Sequence, residues 1–167
     1  MSHLAHRQAA PKTVHCYVLT ISDTRTNETD SGGRTIVDLL TDKGHDVVGK
    51  TIIPDDPERV REAVQAQLAN DVVQAILTTG GTGISSRDQT YEAISGILEK
   101  RIDGFGELFR ALSYAEVGTA AMLTRALAGT ACRKIIISMP GSENAVRLAM
   151  TKLLLPELGH LVREVSR

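Results

Sequence analysis

Two aspartates that lie far apart in the chain have the surroundings of metal-binding or catalytic carboxylates. Asp55 follows an apolar segment that ends in a proline, and Asp88 follows a loop with three glycines in four residues. Carboxylates suit Mg²⁺, which in proteins commonly bridges one or two acids and the phosphates of a substrate. The neighbouring Asp56 is better explained as the N-cap of a helix with Pro57 at its first position, so Asp55 is the stronger candidate.

The loop before Asp88 has a composition that suits a bound anion. It consists of Thr79, Gly80, Gly81, Thr82 and Gly83, with Ser85, Ser86 and Arg87 shortly after them. Glycine lets backbone amides approach a ligand, although a tight turn without a ligand would favour it too. The loop is neither a Walker A motif, because no Gly-Lys-Ser/Thr follows, nor a dinucleotide fingerprint, which needs Gly or Ala at Ser86. Loop composition alone leaves an anion site and a structural turn equally open.

The elements that must position these residues alternate between strand and helix. Short aliphatic runs predict strands, and apolar residues spaced three and four apart predict helices. The predicted strands are Val14–Ile21, His45–Ile53, Val72–Leu77 and Lys134–Met139. The predicted helices are Arg34–Lys43, Pro57–Leu68, Tyr91–Lys100 with Thr90 as its N-cap, Ser142–Leu155 and Pro156–Val165. This order predicts an α/β, three-layer fold in which helices cover both faces of a mostly parallel sheet.

Two segments are harder to assign from the sequence. Asp103–Ser113 begins with glycines and continues with an amphipathic run, so it is predicted to be a loop that enters a helix. Ala115–Arg133 has a helical composition that Gly118 and Gly129 interrupt. Part of this second segment is therefore a possible antiparallel edge hairpin with the strand that follows.

All parallel strands of such a sheet end at one edge, where open α/β sheets bind ligands. The residues after these strand ends are Ser22 and Asp23, Asp55 and Asp56, Thr79 to Asp88, and Pro140, Gly141 and Ser142. The expected site combines two carboxylates with an amide-rich loop and a helix N-terminus, and the last two suit phosphate. With Mg²⁺ it would suit phosphoryl or nucleotidyl transfer, in which positioning and charge neutralisation supply most of the catalysis.

Several of these residues also have a purely structural interpretation. Ser142 can be a helix cap only, Arg87 can pair with a surface acid, and Asp88 can stabilise a turn. Glu107, in the segment that enters a helix, can be a solvated acid of the first helical turn. The convergence of the strand ends, rather than any single residue, favours the functional interpretation.

Composition limits the classes of function. The chain has 167 residues, so we expect a single domain, residues 13–167. The formal net charge is -1 and only 3% of the residues are aromatic, so we expect no nucleic-acid partner. No apolar run approaches the roughly 20 residues that span a bilayer. Residues 1–12 lack the apolar core of a signal peptide and are predicted to be a flexible arm of a cytoplasmic protein without membrane contact. Cys16 and Cys132 are expected to be buried thiols.

Taken together, the motifs resemble those of the MoaB/MogA molybdopterin-binding family. They are Ile53-Pro-Asp-Asp56, Thr78-Thr-Gly-Gly-Thr-Gly83 with Asp88-x-Thr90, Gly104-Phe-Gly-Glu-Leu-Phe-Arg110 and Ser138-Met-Pro-Gly-Ser142. The resemblance runs from about Val14 to the C-terminal helix. The stretch from Gly104 to Gly118, with Arg125-Ala-Leu-Ala-Gly129, favours the MoaB branch. The resemblance implies the three-layer fold and assembly as a homo-trimer or hexamer.

The resemblance also implies a reaction. In catalytic members the terminal phosphate of molybdopterin attacks the α-phosphate of ATP with Mg²⁺ and releases pyrophosphate, and the product goes to a downstream molybdenum-insertion protein. The two family aspartates that this chemistry needs fall on Asp55 and Asp88, as catalytic and metal-binding residues. The residues that would bind the pterin and its phosphate are Ser22, Asp23, Thr79, Gly80, Gly81, Thr82, Gly83, Ser85, Ser86, Glu107, Pro140, Gly141 and Ser142.

Two other hypotheses compete with the enzyme. A pterin-binding oligomer could store or deliver molybdopterin without catalysis, since glycines and hydroxyls allow binding without turnover. Only the enzyme releases pyrophosphate in a reaction that depends on Asp55 and Asp88. A flavodoxin-like module is disfavoured, because its phosphate loop would follow the first strand, whereas the glycine-rich loop here follows the third. A receiver-type module is disfavoured as well, because its phosphate-accepting aspartate would lie at the end of the third strand, where this chain has Thr79.

Overall fold

A six-stranded sheet lies at the centre of the computed structural model, which describes residues 3–167. The strands are β1 (His15–Ile21), β2 (Asp46–Ile53), β3 (Ala75–Thr79), β4 (Lys100–Arg101), β5 (Leu127–Ala131) and β6 (Lys134–Met139), in the order β2-β1-β3-β6-β5-β4. β2, β1, β3 and β6 are parallel, whereas β5 is antiparallel to β6 and β4 is antiparallel to β5. The mostly parallel sheet and the possible antiparallel hairpin are both confirmed.

Helices cover both faces of the sheet. They are α1 (His3–Gln8), α2 (Ser31–Asp42), α3 (Pro57–Leu68), α4 (Thr90–Ser95), α5 (Asp103–Val117), α6 (Glu143–Ala149) and α7 (Leu155–Ser166). Residues of α2, α5, α6 and α7 join one core, with Ile36 and Phe109 among them, and residues of α3 and α4 join a second, with Val64 and Ile94. The predicted three-layer α/β fold is therefore confirmed. None of the helices within residues 3–167 is both long and apolar enough to cross a membrane.

The central strands are buried on both faces, which explains their aliphatic sequences. In β6, Ile135 and Ile137 belong to the core of α2, α5, α6 and α7, and Ile136 belongs to the core of α3 and α4. Each of the three is at most 1% exposed. Parallel strands that are covered on both faces appear in sequence as continuous apolar runs, and this is the pattern from which the strands were predicted.

Two predicted helix caps are confirmed and one is wrong. Asp56 and Ser142 cap α3 and α6 by accepting hydrogen bonds from the amides of Arg59, at 3.1 Å, and Ala145, at 3.3 Å. Thr90 is instead the first residue of α4. Its hydroxyl oxygen is buried and has no hydrogen-bond partner in the described part of the chain, so it caps nothing.

α4 is shorter than predicted. It ends at Ser95 rather than near Lys100, and Lys100–Arg101 forms the edge strand β4 beside β5. The Glu99 amide donates to the carbonyl of Thr130 at 2.8 Å, so pairing with the hairpin replaces helical bonding here. This is a tertiary contact that local helix propensity does not report.

The segment from Asp103 to Val117 is helical from its first residue, so the loop predicted at its start is wrong. Phe105 and Phe109 stack inside the core with 6.2 Å between ring centroids, which holds the first turns of α5 against the sheet. α5 ends at Val117 and is capped by Gly118, whose φ of 65° suits glycine. A 3₁₀ segment, Gly118–Leu123, then leads to β5.

α6 and α7 form one continuous helix with a π-helical turn, Met150–Leu154, between them. The sequence predicted two helices that meet at Pro156, but helical bonding runs through this point. The wider turn accommodates Pro156, which has no amide to donate. A stripe of five residues, each at most 4% exposed, faces the core: Val146, Met150, Leu154, Leu158 and Val162.

The N-terminal segment contacts the last helix. The predicted arm, residues 1–12, contains α1, and its Met1 and Ser2 lie outside the described residues. Arg7 of α1 forms an ion pair with Glu157 of α7. The flexibility of the arm and a domain start at residue 13 remain predictions.

The two cysteines differ in environment. Cys16 is a buried free thiol in β1, as expected. Burial raises the pKa of Cys16 to about 12, and the charge of Asp46 adds to the effect. Cys132 is exposed, so the prediction that it is buried is wrong. It lies in the β5–β6 turn, where Cys132 and Arg133 both have positive φ and reverse the chain.

Candidate active site

The carboxyl ends of the parallel strands border one cleft of about 770 Å³. The predicted site residues that line it are Ser22, Asp23, Asp55, Thr79, Gly80, Gly81, Thr82, Gly83, Asp88, Pro140, Gly141 and Ser142. They come from the segments that follow β1, β2, β3 and β6. The structure therefore brings together the residues that the topology predicted to converge.

Three predicted binding residues lie elsewhere. Ser85 and Ser86 line a separate groove together with Gln89 and Arg125. Glu107 is exposed on α5 and is not part of the cleft lining. The binding roles of these three residues remain predictions.

The cleft also contains residues that the sequence did not single out. They are Thr20, Ile21, Thr24, Arg25, Asp30, Ala120, Leu123 and Thr124. Asp30 had only a weak signal, because aspartate is a favoured N-cap residue but the helix was predicted to begin at Arg34, whereas α2 begins at Ser31. The segment 120–124 had no sequence signal, since it reaches the cleft through tertiary contacts such as the hydrogen bond between the hydroxyls of Thr82 and Thr124 at 3.2 Å.

The glycine-rich loop makes backbone approaches that a side chain would block. Gly80 and Gly81 have φ values of 107° and 69°. A Cβ on Gly80 would overlap the Ile21 carbonyl, and a Cβ on Gly81 would overlap the Thr90 hydroxyl. The Gly80 amide donates to the Met139 carbonyl at 2.9 Å. The loop is thus packed against the ends of β1 and β6, and these glycines have a structural role whether or not a ligand binds.

Asp55 has the least satisfied carboxylate of the cleft. It is 8% exposed, and its Oδ1 atom is buried without a hydrogen-bond partner among the described residues. Burial raises the pKa of Asp55 above its ordinary value of 3.8; a hydrogen bond from the Gln89 backbone opposes this effect, and the negative charges of Asp88 and Asp23 add to it. A buried carboxylate oxygen without a protein donor is well suited to bind a cation.

Asp88 is held by its own loop. Its Oδ2 atom accepts hydrogen bonds from the backbone amide of Ser85, at 3.0 Å, and from the Ser85 hydroxyl, at 2.6 Å. A Cβ on Gly83 would lie 2.7 Å from the same oxygen, so glycine lets the carboxylate lie close against the loop. Asp88 therefore stabilises its turn and also lines the cleft.

Asp23 joins Asp55 to Arg87. Its Oδ1 accepts the backbone amide of Asp55 at 3.1 Å, and its Oδ2 accepts Nε and Nη2 of Arg87 at 3.1 and 2.6 Å. The hydrogen bonds from Arg87, and then the one from the Asp55 amide, hold the pKa of Asp23 below its ordinary value. The predicted pairing of Arg87 with an acid is confirmed, and the acid belongs to the cleft.

A buried ion pair fixes the start of α2 beside the cleft. Asp30 accepts hydrogen bonds from the Thr20 hydroxyl at 2.7 Å and the Gly33 amide at 2.9 Å, and it pairs with Nζ of Lys50 at 2.6 Å. Burial acts to raise the pKa of Asp30, but the bonds from Lys50, Thr20 and Gly33 outweigh it and hold the pKa below its ordinary value. Asp30 is thus a satisfied carboxylate that connects β1, β2 and α2.

Only some of the charged side chains in the cleft have ion-pair partners among the described residues. The lining has four carboxylates and two guanidinium groups, namely Asp23, Asp30, Asp55, Asp88, Arg25 and Arg87. Asp23 pairs with Arg87 and Asp30 pairs with Lys50, which leaves Asp55 and Asp88 without ion-pair partners within residues 3–167. A phosphate-rich ligand beside two uncompensated acids needs a cation between them.

The donor set fits Mg²⁺ that is shared with a substrate. Within the described residues, no three His, Cys, Asp or Glu side chains are grouped closely enough to hold a metal. Mg²⁺ usually takes one or two carboxylates from the protein and completes its coordination with water and substrate phosphates. Asp55 and Asp88 fit this arrangement.

Comparisons with known proteins agree with this architecture. A family model described as a probable molybdopterin binding domain matches residues 17–160. Molybdenum cofactor biosynthesis protein B of Bacillus cereus is 53% identical over 168 residues, which cover 100% of this chain and 99% of that protein.

Solved structures give the same result. A crystal structure of a molybdenum cofactor biosynthesis protein B has a TM-score of 0.90 at 54% identity and covers 93% of this chain and 98% of its own. The tungsten cofactor synthesizing protein MoaB from Pyrococcus furiosus has a TM-score of 0.83 at 37% identity and covers 95% of this chain and 100% of its own.

The matched range contains every residue of the cleft lining, from Thr20 to Ser142. The matched range therefore spans the candidate site, and the family resemblance seen in the motifs is confirmed. This chain belongs to the MoaB/MogA family of molybdopterin-binding domains.

Proposed function

We propose that the protein acts in molybdenum cofactor biosynthesis as an Mg²⁺-dependent molybdopterin adenylyltransferase. An oxygen of the terminal phosphate of molybdopterin attacks the α-phosphorus of ATP, the bond from that phosphorus to the bridging oxygen breaks, and pyrophosphate leaves. The product would pass, in the cytoplasm, to a downstream molybdenum-insertion protein. The observation that carries the transfer step is the buried Oδ1 of Asp55, which lacks a protein partner in a cleft that also contains Asp88.

The carboxylates of the cleft divide into two kinds. Asp55 and Asp88 would hold Mg²⁺, which supplies charge neutralisation at the reacting phosphates when it is bound. Asp23 fixes the backbone of Asp55 and keeps the Arg87 guanidinium beside these acids. A positioned carboxylate and a nearby cation orient the phosphates, and orientation is a large part of the catalysis of phosphoryl-type transfer.

Backbone groups would bind the phosphates themselves. The loop Thr79–Gly83 and the segment Pro140–Ser142 border the cleft from neighbouring strands. The Thr79 hydroxyl donates to the Pro140 carbonyl at 2.7 Å and so fastens the two segments together. Amides of a glycine-rich loop and of a helix N-terminus, here that of α6, are suited to phosphate oxygens.

We also propose a homo-oligomer, of three or six copies, that forms through α5. One face of α5 is buried in the core, yet the helix and the 3₁₀ segment after it also expose large apolar side chains. These are Leu108, Tyr114, Val117, Met122 and Leu123, each at least 49% exposed. A helix that is apolar on more than one face is normally covered on each, and a second copy of the chain would cover this one.

Pyrophosphate release tests the transferase. Purified molybdopterin and ATP are mixed with the protein, with and without Mg²⁺, and with the variants Asp55→Ala and Asp88→Ala. Asp56→Ala is the matched control, because Asp56 is the adjacent acid but caps α3 and does not line the cleft. We expect release that requires Mg²⁺, survives Asp56→Ala and is lost in the other two variants.

Other outcomes would contradict the proposal in different ways. Tight binding of molybdopterin without any pyrophosphate release would favour the storage or delivery hypothesis, in which the loop amides and hydroxyls bind the pterin alone. If Asp88→Ala released pyrophosphate as fast as wild type, Asp88 would not be part of the metal site.

A further inference from the structure

We infer that Arg125 is a positioning residue that holds the glycine-rich loop in its binding shape. This inference rests on the proposed function, because the loop is proposed to bind phosphate and to carry Asp88. Arg125 lies just before β5, and the loop from Gly80 to Asp88 follows β3. The contact therefore joins two parts of the chain that are distant in sequence.

Arg125 fastens the loop at three points. Its backbone amide donates to the Thr82 carbonyl at 2.8 Å. Its guanidinium donates through Nε to the Gly83 carbonyl at 2.9 Å and through Nη2 to the Asp88 carbonyl at 2.7 Å. One side chain thus fixes both ends of the segment from Gly83 to Asp88.

The guanidinium is itself held from two sides. It forms an ion pair with Glu92, through Nη1 to Oε1 and through Nη2 to Oε2 at 3.3 Å. It also lies over the ring of Tyr91, 5.0 Å from the centroid, in cation–π geometry. Both partners belong to α4, which packs on the sheet, so the loop is tied to a rigid element.

The segment between the two fastened ends has few other contacts with the core. Ile84 is 68% exposed, and Ser85, Ser86 and Arg87 are exposed as well. No apolar side chain of this segment is buried. Its shape therefore depends on hydrogen bonds, which include those from Arg125 to its two ends, the local bonds between Ser85 and Asp88, and the bonds from Arg87 to Asp23.

Arginine has the donor geometry that this position requires. The guanidinium offers five N–H groups in a planar fork, which here serve two carbonyls and one carboxylate at once. A lysine ammonium is a point charge on a flexible stem, and it cannot reproduce this fork.

Arg101 provides a matched control. It lies over the same Tyr91 ring, at 5.6 Å, but it bonds to Asp103 and Ser95 and makes no hydrogen bond to the glycine-rich loop. A substitution there removes a similar charge and a similar ring contact and leaves the loop contacts in place.

Hydrogen exchange of the full-length, ligand-free protein tests the inference directly. We compare wild type, Arg125→Lys, Arg125→Gln and Arg101→Gln by mass spectrometry. In both Arg125 variants the peptides that cover residues 82–90 should exchange about tenfold faster or more, as expected for the loss of a charge-assisted hydrogen bond. Peptides of β1 and β6 should not change, and Arg101→Gln should match wild type.

Kinetics of pyrophosphate release add a readout that a purely structural role would not move. In Arg125→Lys, kcat should fall by about tenfold or more, because the reacting phosphates lose their alignment. The KM for molybdopterin should stay within about threefold of the wild-type value, because the pterin keeps its other contacts. An equal loss in Arg101→Gln would overturn the inference.

The two proposals fail separately. Unchanged exchange at residues 82–90 in Arg125→Lys would overturn the role of Arg125, whatever the enzyme does. Faster exchange there, in a protein that releases no pyrophosphate, would support the role of Arg125 and contradict the transferase.

Discussion

The carboxylate of Asp23 accepts a hydrogen bond from the backbone amide of Asp55, with 3.1 Å between Oδ1 and N. This bond connects the loop after β1 with the residue after β2. Because Arg87 occupies the other oxygen of Asp23, three segments of the cleft are joined through one side chain. The position of Asp55, and with it the proposed metal site, depends on Asp23.

Substitution of Asp23 should lower turnover without removing the metal ligands. Asp23→Ala leaves the Asp55 amide and Arg87 without their acceptor. We expect the rate of pyrophosphate release to fall by roughly ten- to a hundredfold, because small misplacements of catalytic groups lower reaction rates by such factors. Asp23→Asn keeps an oxygen for the Asp55 amide and should lose less. Equal losses in the two variants would show that the charge beside Arg87, not the bond to Asp55, is what matters.

Asp55→Asn should raise the stability of the metal-free protein at neutral pH. Since the folded pKa of Asp55 lies above the ordinary 3.8, the folded state binds this proton more tightly than the unfolded state, and the ionised carboxylate destabilises the fold above the folded pKa. The gain in Tm over wild type should be full above that pKa and disappear as the pH falls below 3.8.

The same two proteins report on Mg²⁺. Added Mg²⁺ should raise the Tm of wild type at neutral pH, because it binds the folded state only, and should leave Asp55→Asn unchanged. Thermal unfolding followed by circular dichroism measures both effects. A lower Tm for Asp55→Asn at neutral pH would mean that the ionised carboxylate stabilises the cleft.

Gly81→Ala should destabilise the protein and disturb the loop. The added Cβ would overlap the Thr90 hydroxyl at a φ of 69°, and strain of this kind costs about 1–3 kcal/mol. Gly104→Ala is the control, since a Cβ there meets nothing within 4 Å in α5 and alanine favours a helix by up to about 1 kcal/mol. Urea unfolding gives both free energies, and equal values for the two variants would contradict the packing described for Gly81.

A charge on the exposed face of α5 should dissociate the proposed oligomer. Wild type should have a mass of three or six times 18.0 kDa by light scattering after size exclusion, and Leu108→Glu should shift it towards the monomer because a buried unpaired charge is costly. Val72→Glu introduces the same charge at an apolar residue that is 55% exposed outside α5 and should keep the wild-type mass. A wild-type mass of 18.0 kDa would refute the oligomer.

Local sequence signals predicted much of the fold. The strands were visible because Ile135, Ile136 and Ile137 are buried on both faces, and two caps were visible because Asp56 and Ser142 bond to amides three residues ahead. Such signals involve near neighbours in the chain. The edge strand Lys100–Arg101 was not visible, because it exists only through pairing with β5.

The same distinction applies to the cleft. Its residues at strand ends were predictable from topology, whereas Ala120, Leu123 and Thr124 arrive through the path of α5. Thr90 misled the prediction because a threonine before a helix is normally a cap, but here its buried hydroxyl lies beside Gly81. The glycines indicated a close approach at this loop, but the sequence did not show that the Thr90 side chain would be the group that comes close.

The π-helical turn between α6 and α7 corrects the phase of a repeat. The buried stripe from Val146 to Val162 has one residue in every four, and each such step advances about 40° around an ordinary α-helix, or about 160° over four steps. Without correction Val162 would face nearly away from the core that Val146 enters. The turn Met150–Leu154 absorbs one residue, which removes about 100° of this drift and keeps all five residues of the stripe in the core.

The number of residues in this turn therefore matters more than the exposed side chain of Lys152. Insertion of one further residue after Lys152 should rotate α7 by about 100° relative to α6 and destabilise the protein strongly, whereas Lys152→Ala should leave the Tm unchanged. The length of this segment, and not only its composition, is thus part of what the sequence encodes.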